Sequence, residues 1–394
     1  MRVGFDMLYA QGPSATVGIG NYSSNYLGHL TVHPEVEPFL FYDNAPRTGE
    51  QYARELSEFI IANDLDIFHL TSPIELSYPE IFADGLLSSV RLVATVYDVI
   101  PMIFPEVYLA DPRAKALYAR QLEMLRRAQR LFAISESTRQ DFLRLGFDPH
   151  RVIAIGTGTD PSFYCLDPAS LDARALGLPT DQPLCLAFNP GDFRKNAHRL
   201  VQAFARATSS WVDAPQLVFV SSVSEPLQHQ LHQIAEQDGR PTGIHFAGHV
   251  SKARLLALFN RAQALLFPSL YEGLGLPVVE AMQCGCPVMT SNVSSLPEIA
   301  GDAAIYVNPA DVDSIAAGIQ RILSDPDLRA LLRQRGFAQV ERTPWPGVVE
   351  TTVAEYRRLM DEVPIDRSTR QPPVPKPSNK LSRWNTRYVP FQWL

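Results

Sequence analysis

Short apolar segments alternate with amphipathic helical patterns along nearly the whole chain, and this alternation limits the fold more than any other feature of the sequence. In the first half the apolar segments are residues 2–8, 37–43, 66–72, 90–99, 130–135 and 151–156. In the second half they are residues 183–189, 216–222, 243–248, 264–269, 287–291 and 304–308. Strands separated by helices favour parallel sheets with helices on both faces. The sequence therefore predicts an α/β protein of two Rossmann-like, doubly wound domains.

Changes in composition mark the expected domain boundaries. Residues 161–182 are rich in Pro, Asp and small residues, so we expect a first domain over 1–165 and a second over 166–345. We expect a helix over 346–364 to cross back to the first domain.

The last segment of the chain, residues 365–394, has five prolines, six basic residues and one acidic residue. Such a tail is typical of disorder, because it cannot bury enough apolar surface. The alternative is an anchor that docks on the protein, a partner or an anionic membrane through its aromatic side chains, Trp384, Tyr388, Phe391 and Trp393.

Overall composition excludes several classes of protein. The 394 residues are 46% hydrophobic, enough for two cores, and the net charge of −7 gives no basic footprint for nucleic acid. No run approaches about 18 apolar residues, so no membrane-spanning helix is expected. The opening "MRVGFDMLYAQG" resembles a strand more than a signal peptide, which predicts a cytoplasmic protein.

The four cysteines do not predict a disulfide framework in a chain of this size. Cys284 and Cys286 flank Gly285 and suggest either a metal or redox pair or a helix end at which the glycine stops the helix. The helix end is favoured, because no histidine cluster with ligand spacing accompanies the pair. We expect neither a metal nor another cofactor.

The segment "FPSLYEGLGLPVVEAM" (267–282) places Glu272 and Glu280 on either side of a helix start at Pro277. This start lies at the carboxyl edge of a predicted parallel sheet, where open α/β sheets bind ligands and free helix amides favour an anion. Carboxylates there would repel an anion but accept hydrogen bonds from hydroxyls. The segment therefore predicts a nucleotide sugar, whose phosphate lies between a sugar and a ribose. The alternative is an ordinary helix start with an acid in its first turn.

Two adjacent cations, Arg194 and Lys195, follow the first strand of the second domain at a predicted helix start. Cations there are unfavourable without an anion, and the pair suits a diphosphate, although a solvated helix start is the alternative. In the first domain, Gly18 and Gly20 form a phosphate-loop-like turn that lacks the full Gly-x-Gly-x-x-Gly pattern.

Taken together, these motifs resemble those of the retaining glycosyltransferases of family 4. The resemblance covers nearly residues 1–360 and includes "GIGNY" (18–22), "VYDVIP" (96–101), "RKN" (194–196) and "FPSLYEGLGLPVVEAM". The first two motifs are most similar to bacterial enzymes of O-antigen and capsule assembly, many of which use GDP-mannose.

The resemblance implies a GT-B fold, with two Rossmann-like domains facing a cleft, the donor on the second domain and the acceptor mainly on the first. It implies metal-independent transfer, with retention, from a nucleotide sugar, GDP-mannose being favoured, to a hydroxyl of a growing, lipid-linked cell-surface glycan.

The resemblance also assigns residues. Arg194 and Lys195 would hold the donor diphosphate, Glu272 the sugar hydroxyls and Glu280 the ribose. Asp98 would orient acceptor or donor, unless it is a strand-end acid that caps a turn. Further donor contacts fall on Gly18, Gly20, Tyr97, Val250, Gly273, Leu274 and Gly275.

The chain departs from the family pattern at three places. Tyr97 replaces a histidine that often lies beside the donor sugar, so we expect it to alter sugar choice or to replace a hydrogen bond. Asn21 stands where arginine is common, and "GDF" (191–193) stands where Glu-Pro is common before "RKN".

Other functions stay open. A GT-B enzyme of another kind, such as a UDP-sugar transferase, a phosphorylase or an epimerase, would share the fold. A non-catalytic sugar-binding protein of the periplasmic type would need a secretory signal.

The predicted helix over 111–130 carries a net charge of +4 in an otherwise acidic protein. It is suited to an anionic inner membrane surface, where lipid-linked acceptors reside. The alternative is a solvated helix face.

Overall fold

The computed structural model describes residues 1–11, 15, 18–42, 48–82, 90–167, 182–240, 242–365 and 367. The chain divides into two compact units, one built from Met1–Gly158 and the segment that starts at Trp345, the other from Thr159–Pro344. The first unit thus ends at Gly158 rather than at 165. Most of the expected linker over 161–182, and nearly all of the tail expected over 365–394, lie outside the described residues.

The first unit contains one parallel sheet. Its strands are β1 (Arg2–Asp6), β2 (Glu37–Phe41), β3 (Ile67–Leu70), β4 (Arg91–Val96), β5 (Arg130–Ala133) and β6 (Val152–Ala154). They are ordered β2-β1-β3-β4-β5-β6, and every neighbouring pair is parallel. Strands β3, β4 and β5 are buried at every position, because helices cover both faces of such a sheet.

The helices of the first unit begin where side chains can cap them. They are α1 (Leu8–Gln11), α2 (Gly18–Leu30), α3 (Gly49–Ala62), α4 (Ile100–Ile103), α5 (Pro105–Tyr108), α6 (Pro112–Leu125) and α7 (Glu136–Arg144), with 3₁₀ turns at Pro73–Glu75 and Pro79–Phe82. Thr48, Asp111 and Ser135 accept hydrogen bonds from backbone N–H groups in the first turns of α3, α6 and α7. Each cap satisfies a donor that the helix itself leaves unpaired.

The second unit repeats this architecture. Its strands are β7 (Leu184–Phe188), β8 (Gln216–Val220), β9 (Ile244–Phe246), β10 (Ala264–Phe267), β11 (Val288–Ser291) and β12 (Ala304–Val307). They form a parallel sheet ordered β12-β11-β10-β7-β8-β9. Its helices are α8 (Ala197–Thr208), α9 (Glu225–Gln237), α10 (Lys252–Arg261), α11 (Leu276–Gln283), α12 (Leu296–Ala300), α13 (Val312–Ser324) and α14 (Pro326–Val340), with a 3₁₀ turn at Phe193–Lys195.

The C-terminal helix α15 (Trp345–Glu362) belongs to the first unit. The Tyr356 hydroxyl lies 2.6 Å from Nδ1 of the buried His69, and the Thr352 hydroxyl lies 2.7 Å from that of Tyr26. Glu355 forms a buried ion pair with Arg130 at 2.8 Å. These contacts fasten α15 to α2 and to the strands of the first sheet.

The strand order reverses once in each sheet. The reversal lies between β1 and β3 in the first sheet and between β7 and β10 in the second. Crevices at the carboxyl ends of strands beside such a reversal are where open α/β sheets bind ligands. The predicted architecture of two Rossmann-like domains is confirmed, and the reversals indicate where functional side chains should be sought.

The described helices differ in length and in hydropathy. None of them combines the length and the apolar character needed to cross a bilayer.

Candidate functional site

The segments that follow β7 and β10 lie side by side in the second unit, because these two strands are neighbours in the sheet. Arg194 and Lys195 are in the 3₁₀ turn after β7, and Glu272 is in the loop after β10. The backbone N–H of Leu270 donates to the Arg194 carbonyl at 2.7 Å, which joins the two segments directly. The strand reversal therefore brings together cations and a carboxylate that are far apart in sequence.

Glu272 binds both cations. Its Oε2 lies 2.5 Å from Arg194 Nη1, and its Oε1 lies 2.6 Å from Lys195 Nζ. Asp192, which in the sequence is only part of the departure "GDF", pairs with Arg194 Nε at 2.8 Å. Lys195 Nζ also lies 4.5 Å from the ring centre of Phe267, in a cation–π contact. We call Asp192, Arg194, Lys195 and Glu272 the charged cluster.

The charged cluster is deeply set and has no net formal charge. Its side chains are 1% (Asp192), 7% (Glu272), 10% (Lys195) and 17% (Arg194) exposed. A guanidinium has five N–H donors and an ammonium three, so each cation can bind a carboxylate and an anionic ligand together. The cluster could therefore bind an anion through positioned donors, although it has no net formal charge.

The two glutamates of the predicted motif are in different electrostatic environments. Burial raises the pKa of Glu272, but Arg194 and Lys195 outweigh burial and hold that pKa below its usual value. Burial raises the pKa of Glu280 to about 7; Asp160 adds to this rise, and Lys252 opposes it. Glu272 is consequently ionised at neutral pH, whereas Glu280 titrates near neutral pH.

Glu280 is on α11, beside an ion pair that the sequence does not predict. Lys252 Nζ lies 2.8 Å from Asp160 Oδ2, and Gln283 of α11 donates to the Asp160 carbonyl at 2.8 Å. Val250 is half-buried between β9 and α10, on the same unit. No regular spacing connects Asp160 or Lys252 with Glu280 in the sequence, so only the fold reveals their proximity.

The start of α11 requires a glycine. Gly275 is the N-cap residue and has φ +107°, and a Cβ there would lie 2.9 Å from Leu296 Cδ2. Ser295 Oγ donates to the carbonyls of Glu272 and Leu274 at 3.0 and 2.7 Å. The backbone N–H of Glu272 donates to Ser294 Oγ at 3.0 Å. The two serines thus fix the loop over 272–275, which includes Gly273.

The prediction that Arg194 and Lys195 begin a helix is wrong. Helix α8 starts at Ala197, and the two cations belong to a separate 3₁₀ turn that ends at Lys195 and has Asn196 as its C-cap. Asn196 has φ +61°, a left-handed conformation that asparagine tolerates better than most residues. Its side chain donates to the carbonyls of Pro268 and Pro309 at 3.0 and 2.7 Å. The asparagine of "RKN" therefore has a structural role.

In the first unit, the predicted glycine turn is also wrong. Helix α2 already begins at Gly18, so Gly18 and Gly20 belong to its first turn and not to a loop before it. The residues between β1 and α2 include 12–14 and 16–17, which are outside the described ranges.

Tyr97 and Asp98 follow β4 and make contacts within the first unit. The Tyr97 hydroxyl lies 2.5 Å from Ser23 Oγ and donates to the Thr71 carbonyl at 2.7 Å, and the side chain is 4% exposed. Asp98 Oδ1 accepts from the Ile100 N–H at 2.9 Å, which is the turn-capping contact considered as its alternative. Tyr97 therefore organises the protein interior, whatever its influence on a ligand.

The Cys284-Gly285-Cys286 segment is at the end of α11. Gly285 has φ +69°, and a Cβ there would lie 2.8 Å from atoms of Arg333 and Phe337. Burial raises the pKa of Cys284 to about 12. These features fit a helix stop with inert thiols.

Both halves of the chain match known family models. Residues 8–163 match the model described as Glycosyltransferase Family 4, and residues 170–339 match the one described as Glycosyl transferases group 1.

Among curated proteins, the O-antigen chain mannosyltransferase B of Escherichia coli is 30% identical over 277 residues, covering 68% of this chain and 71% of that protein. The serotype-specific mannosyltransferase WbdA of Escherichia coli is 29% identical over 276 residues, covering 68% of this chain and 34% of WbdA. The matched part thus spans about a third of the length of WbdA.

Solved structures resemble the fold over most of the chain. Sucrose-phosphate synthase from Thermosynechococcus elongatus superposes with a TM-score of 0.73 at 20% identity, covering 92% of this chain and 99% of that one. Anabaena HepE in complex with UDP and glucose superposes with a TM-score of 0.71 at 15% identity, covering 91% and 100%. With both halves matched by family models and with this likeness to the O-antigen chain mannosyltransferase, the chain belongs to glycosyltransferase family 4 and has the GT-B fold.

Proposed function

We propose that the protein is a retaining glycosyltransferase that moves a sugar from a nucleotide diphosphate sugar to a hydroxyl of a growing, lipid-linked cell-surface glycan. The observation that carries this proposal is the buried charged cluster at the strand reversal of the second sheet. GDP-mannose is the favoured donor, because two of the Escherichia coli relatives are named mannosyltransferases.

The chemical barrier in such a transfer is the separation of a cationic sugar from a leaving diphosphate. Arg194 and Lys195 stabilise the developing negative charge, and the free amides at the start of α11 add to this effect. Preorganised donors in a buried site are worth more than in water, because they need no reorganisation during the reaction. In this scheme the side-chain cations neutralise the leaving group, so the transfer is metal-independent.

Glu272 has a double role in the proposal. In the ligand-free protein it holds the two cations at 2.5 and 2.6 Å. When a donor binds, the phosphates share those cations, and the carboxylate accepts hydrogen bonds from hydroxyls of the donor sugar. Glu280 accepts hydrogen bonds from the ribose at the other side of the phosphates. Retention follows if the acceptor approaches on the face that the phosphate leaves and gives its proton to a phosphate oxygen.

A thermal-shift panel of GDP-, UDP-, ADP- and dTDP-sugars tests donor binding. A ligand that binds only the native state, present at 100 times its Kd, raises the free energy of unfolding by about 2.7 kcal/mol. We expect the largest shift with GDP-mannose, and release of GDP together with an extended glycan. A largest shift with a UDP-sugar would change the donor but keep the transferase. Consumption of phosphate would indicate a phosphorylase, and an altered sugar without extension an epimerase. No shift with any sugar nucleotide would reject the proposal.

We also propose that α6 places the protein at an anionic membrane surface. Arg113, Lys115 and Arg127 are exposed, and Met102 and Val107 are each 42% exposed just before α6. Arg130 is not part of this surface, since it pairs with Glu355 and Glu362. Reversal of Arg113 and Lys115 to Glu should abolish cosedimentation with vesicles rich in anionic lipid. Unchanged cosedimentation would favour a solvated face.

A further inference from the structure

A second polar cluster lies at the strand reversal of the first sheet. Asp6 is the last residue of β1, and Thr71 and Ser72 follow β3, the parallel neighbour of β1. Glu75 ends the 3₁₀ turn that starts directly after Ser72. Because the carboxyl ends of parallel neighbours meet at one edge, these side chains occupy the position where a sheet of this strand order binds its ligand.

Hydrogen bonds from Thr71 and Tyr97 hold the segment after β3 in place. The Thr71 N–H donates to Asp6 Oδ1 at 2.5 Å, and the Thr71 hydroxyl contacts the same oxygen. The Tyr97 hydroxyl donates to the Thr71 carbonyl at 2.7 Å. Thr71 and Tyr97 are therefore positioning residues, which set where Ser72 and the second oxygen of Asp6 lie.

Three polar atoms of this cluster have no hydrogen-bond partner among the described residues: Asp6 Oδ2, Ser72 Oγ and Glu75 Oε2. Asp6 and Ser72 are both 0% exposed. Buried polar groups are paired in the great majority of cases, because an unpaired one loses its bonds to water without compensation. Three such oxygens lie beside one strand reversal, where hydroxyl groups of a ligand could pair with them.

The electrostatics agree with this interpretation. Burial raises the pKa of Asp6 to about 7, hydrogen bonds from Thr71 oppose the rise, and Glu75 adds to it. Glu75 is thus close enough to raise the pKa of Asp6, because two carboxylates carry charge of the same sign. A phosphate would be repelled by this pair, whereas hydroxyl groups donate to carboxylate oxygens. Within the described ranges, no three His, Cys, Asp or Glu side chains are grouped as ligands for a metal ion.

We propose that Asp6 Oδ2, Glu75 Oε2 and Ser72 Oγ bind hydroxyl groups of the acceptor sugar, and that this cluster selects the acceptor. The two carboxylates accept hydrogen bonds, and the serine hydroxyl both donates and accepts. The proposal rests on the transferase function proposed above, but the binding of a sugar here is measurable without catalysis.

The first test is direct binding to the full chain. Saturation-transfer NMR with methyl α-D-mannopyranoside and mannobiose as probe sugars, and glycerol as a blank, should give transfer to the sugars in the wild type. Asp6→Asn and Ser72→Ala should lose this signal. The matched control is Asp66→Asn, since Asp66 is also a buried aspartate that accepts from a backbone N–H, at 2.8 Å, but precedes β3. Equal signals in all variants, or none in the wild type, would overturn the proposal.

The second test separates this site from the donor site. In an assay of GDP release with mannobiose as acceptor, Ser72→Ala and Glu75→Gln should raise the acceptor KM about tenfold or more and change the donor KM by less than about twofold. A rise in the donor KM instead would contradict the proposal. If the probe sugars bind at Asp6 and Ser72 but no donor is ever turned over, the site stands and the transferase function fails. If transfer occurs and the acceptor KM is unaffected, the function stands and the site fails.

The melting midpoint of Ser72→Ala gives a third test, which separates a ligand-binding residue from a structural one. Because Ser72 Oγ has no partner among the described residues, Ser72→Ala should leave the melting midpoint unchanged or raise it while binding is lost. A lowered midpoint together with lost binding would indicate a structural residue.

Discussion

At the scale of single residues, Glu272 is the informative case. The sequence and its family resemblance predict Arg194 and Lys195 at phosphates and Glu272 at sugar hydroxyls, as three separate contacts. In the fold, the carboxylate binds both cations and is almost fully buried. Buried charges need partners, so a site prepared for a dianion must balance its cations while the ligand is absent. Glu272 provides that balance in the free protein, and in the proposed function it would accept hydrogen bonds from hydroxyls once phosphates share the cations.

We therefore predict that Glu272→Gln makes the free protein less stable but more responsive to GDP. Loss of one partner from a buried ion pair costs roughly 3 kcal/mol, and a bound diphosphate would restore the missing negative charge. The thermal shift caused by saturating GDP should be larger in the variant than in the wild type, while sugar transfer falls.

The control for this prediction is Asp238→Asn, which removes a partner of Arg206, an arginine whose side chain is 44% exposed. That ion pair is worth little because water screens it, so the control should keep the wild-type shift with GDP. A shift in Glu272→Gln that is equal to or smaller than that of the wild type would contradict the balancing role.

Glu280 predicts a dependence of stability on pH. Its pKa is about 7 in the folded protein against an ordinary value of 4.5, so the native state binds the proton more tightly than the unfolded state. The contribution of this protonated carboxyl to the free energy of unfolding is therefore fully present below pH 4.5 and is lost as the pH rises through 7. In total it is on the order of 3 kcal/mol.

Glu280→Gln removes this titration. We expect the melting midpoint of the variant, relative to the wild type, to rise between pH 5 and pH 8. Glu236→Gln, at an exposed position of α9, should give the same difference at both pH values. A midpoint difference for Glu280→Gln that is constant with pH would exclude a raised pKa.

At the scale of elements, the apolar segments were predicted well and the helix starts less well. Each of the twelve described strands lies inside a predicted apolar segment, because buried strands of a parallel sheet are marked by local composition. Two predicted helix starts are misplaced. At Asn196 a left-handed residue separates a 3₁₀ turn from α8, and at Gly18 the helix has already begun. Local patterns do not encode such changes of backbone direction, which depend on contacts such as those of Asn196 with Pro268 and Pro309.

The requirement for a glycine in the loop before α11 can be tested at Gly275. Gly275→Ala should destabilise the protein by about 1–3 kcal/mol, because φ +107° strains any other residue and the new Cβ would meet Leu296. It should also weaken GDP-sugar binding, since the first amides of α11 would shift.

Gly28→Ala is the matched control, because Gly28 is an exposed glycine inside α2, and a Cβ added there would have nothing within 4 Å. The control should gain about 0.5–1 kcal/mol of stability by chemical denaturation. Destabilisation of both variants by the same amount would contradict the argument.

At the scale of the whole molecule, helix α15 is distant in sequence from the rest of its unit. Its Trp345, Val348, Val349, Val353, Tyr356 and Leu359 are buried. Burial of each large apolar side chain contributes about 1.5–3 kcal/mol, so the sum is comparable to the 5–15 kcal/mol by which a domain is stable. The first unit should therefore not fold without residues that follow the second unit in the chain.

Two truncated chains test this dependence. The chain 1–367 should keep both units protected in amide hydrogen exchange. The chain 1–344 should lose protection over Met1–Gly158 and keep it over Thr159–Pro344, because the second unit retains all of its own core. Full protection of both units in the shorter chain would show that α15 is dispensable.

The sequence by itself determined the α/β class, the two domains, the segments that form strands, and the identities of Arg194, Lys195, Glu272 and Glu280 as candidates. These features are set by near neighbours along the chain, namely by periodicity, by turn residues and by motifs at strand ends. Only the tertiary structure decided which candidates meet. Lys195 reaches Glu272 because β7 lies beside β10, and Asp6 meets Thr71 because β1 lies beside β3. The order of strands in a sheet depends on packing between distant segments, and it decides which of these side chains lie within hydrogen-bonding distance of one another.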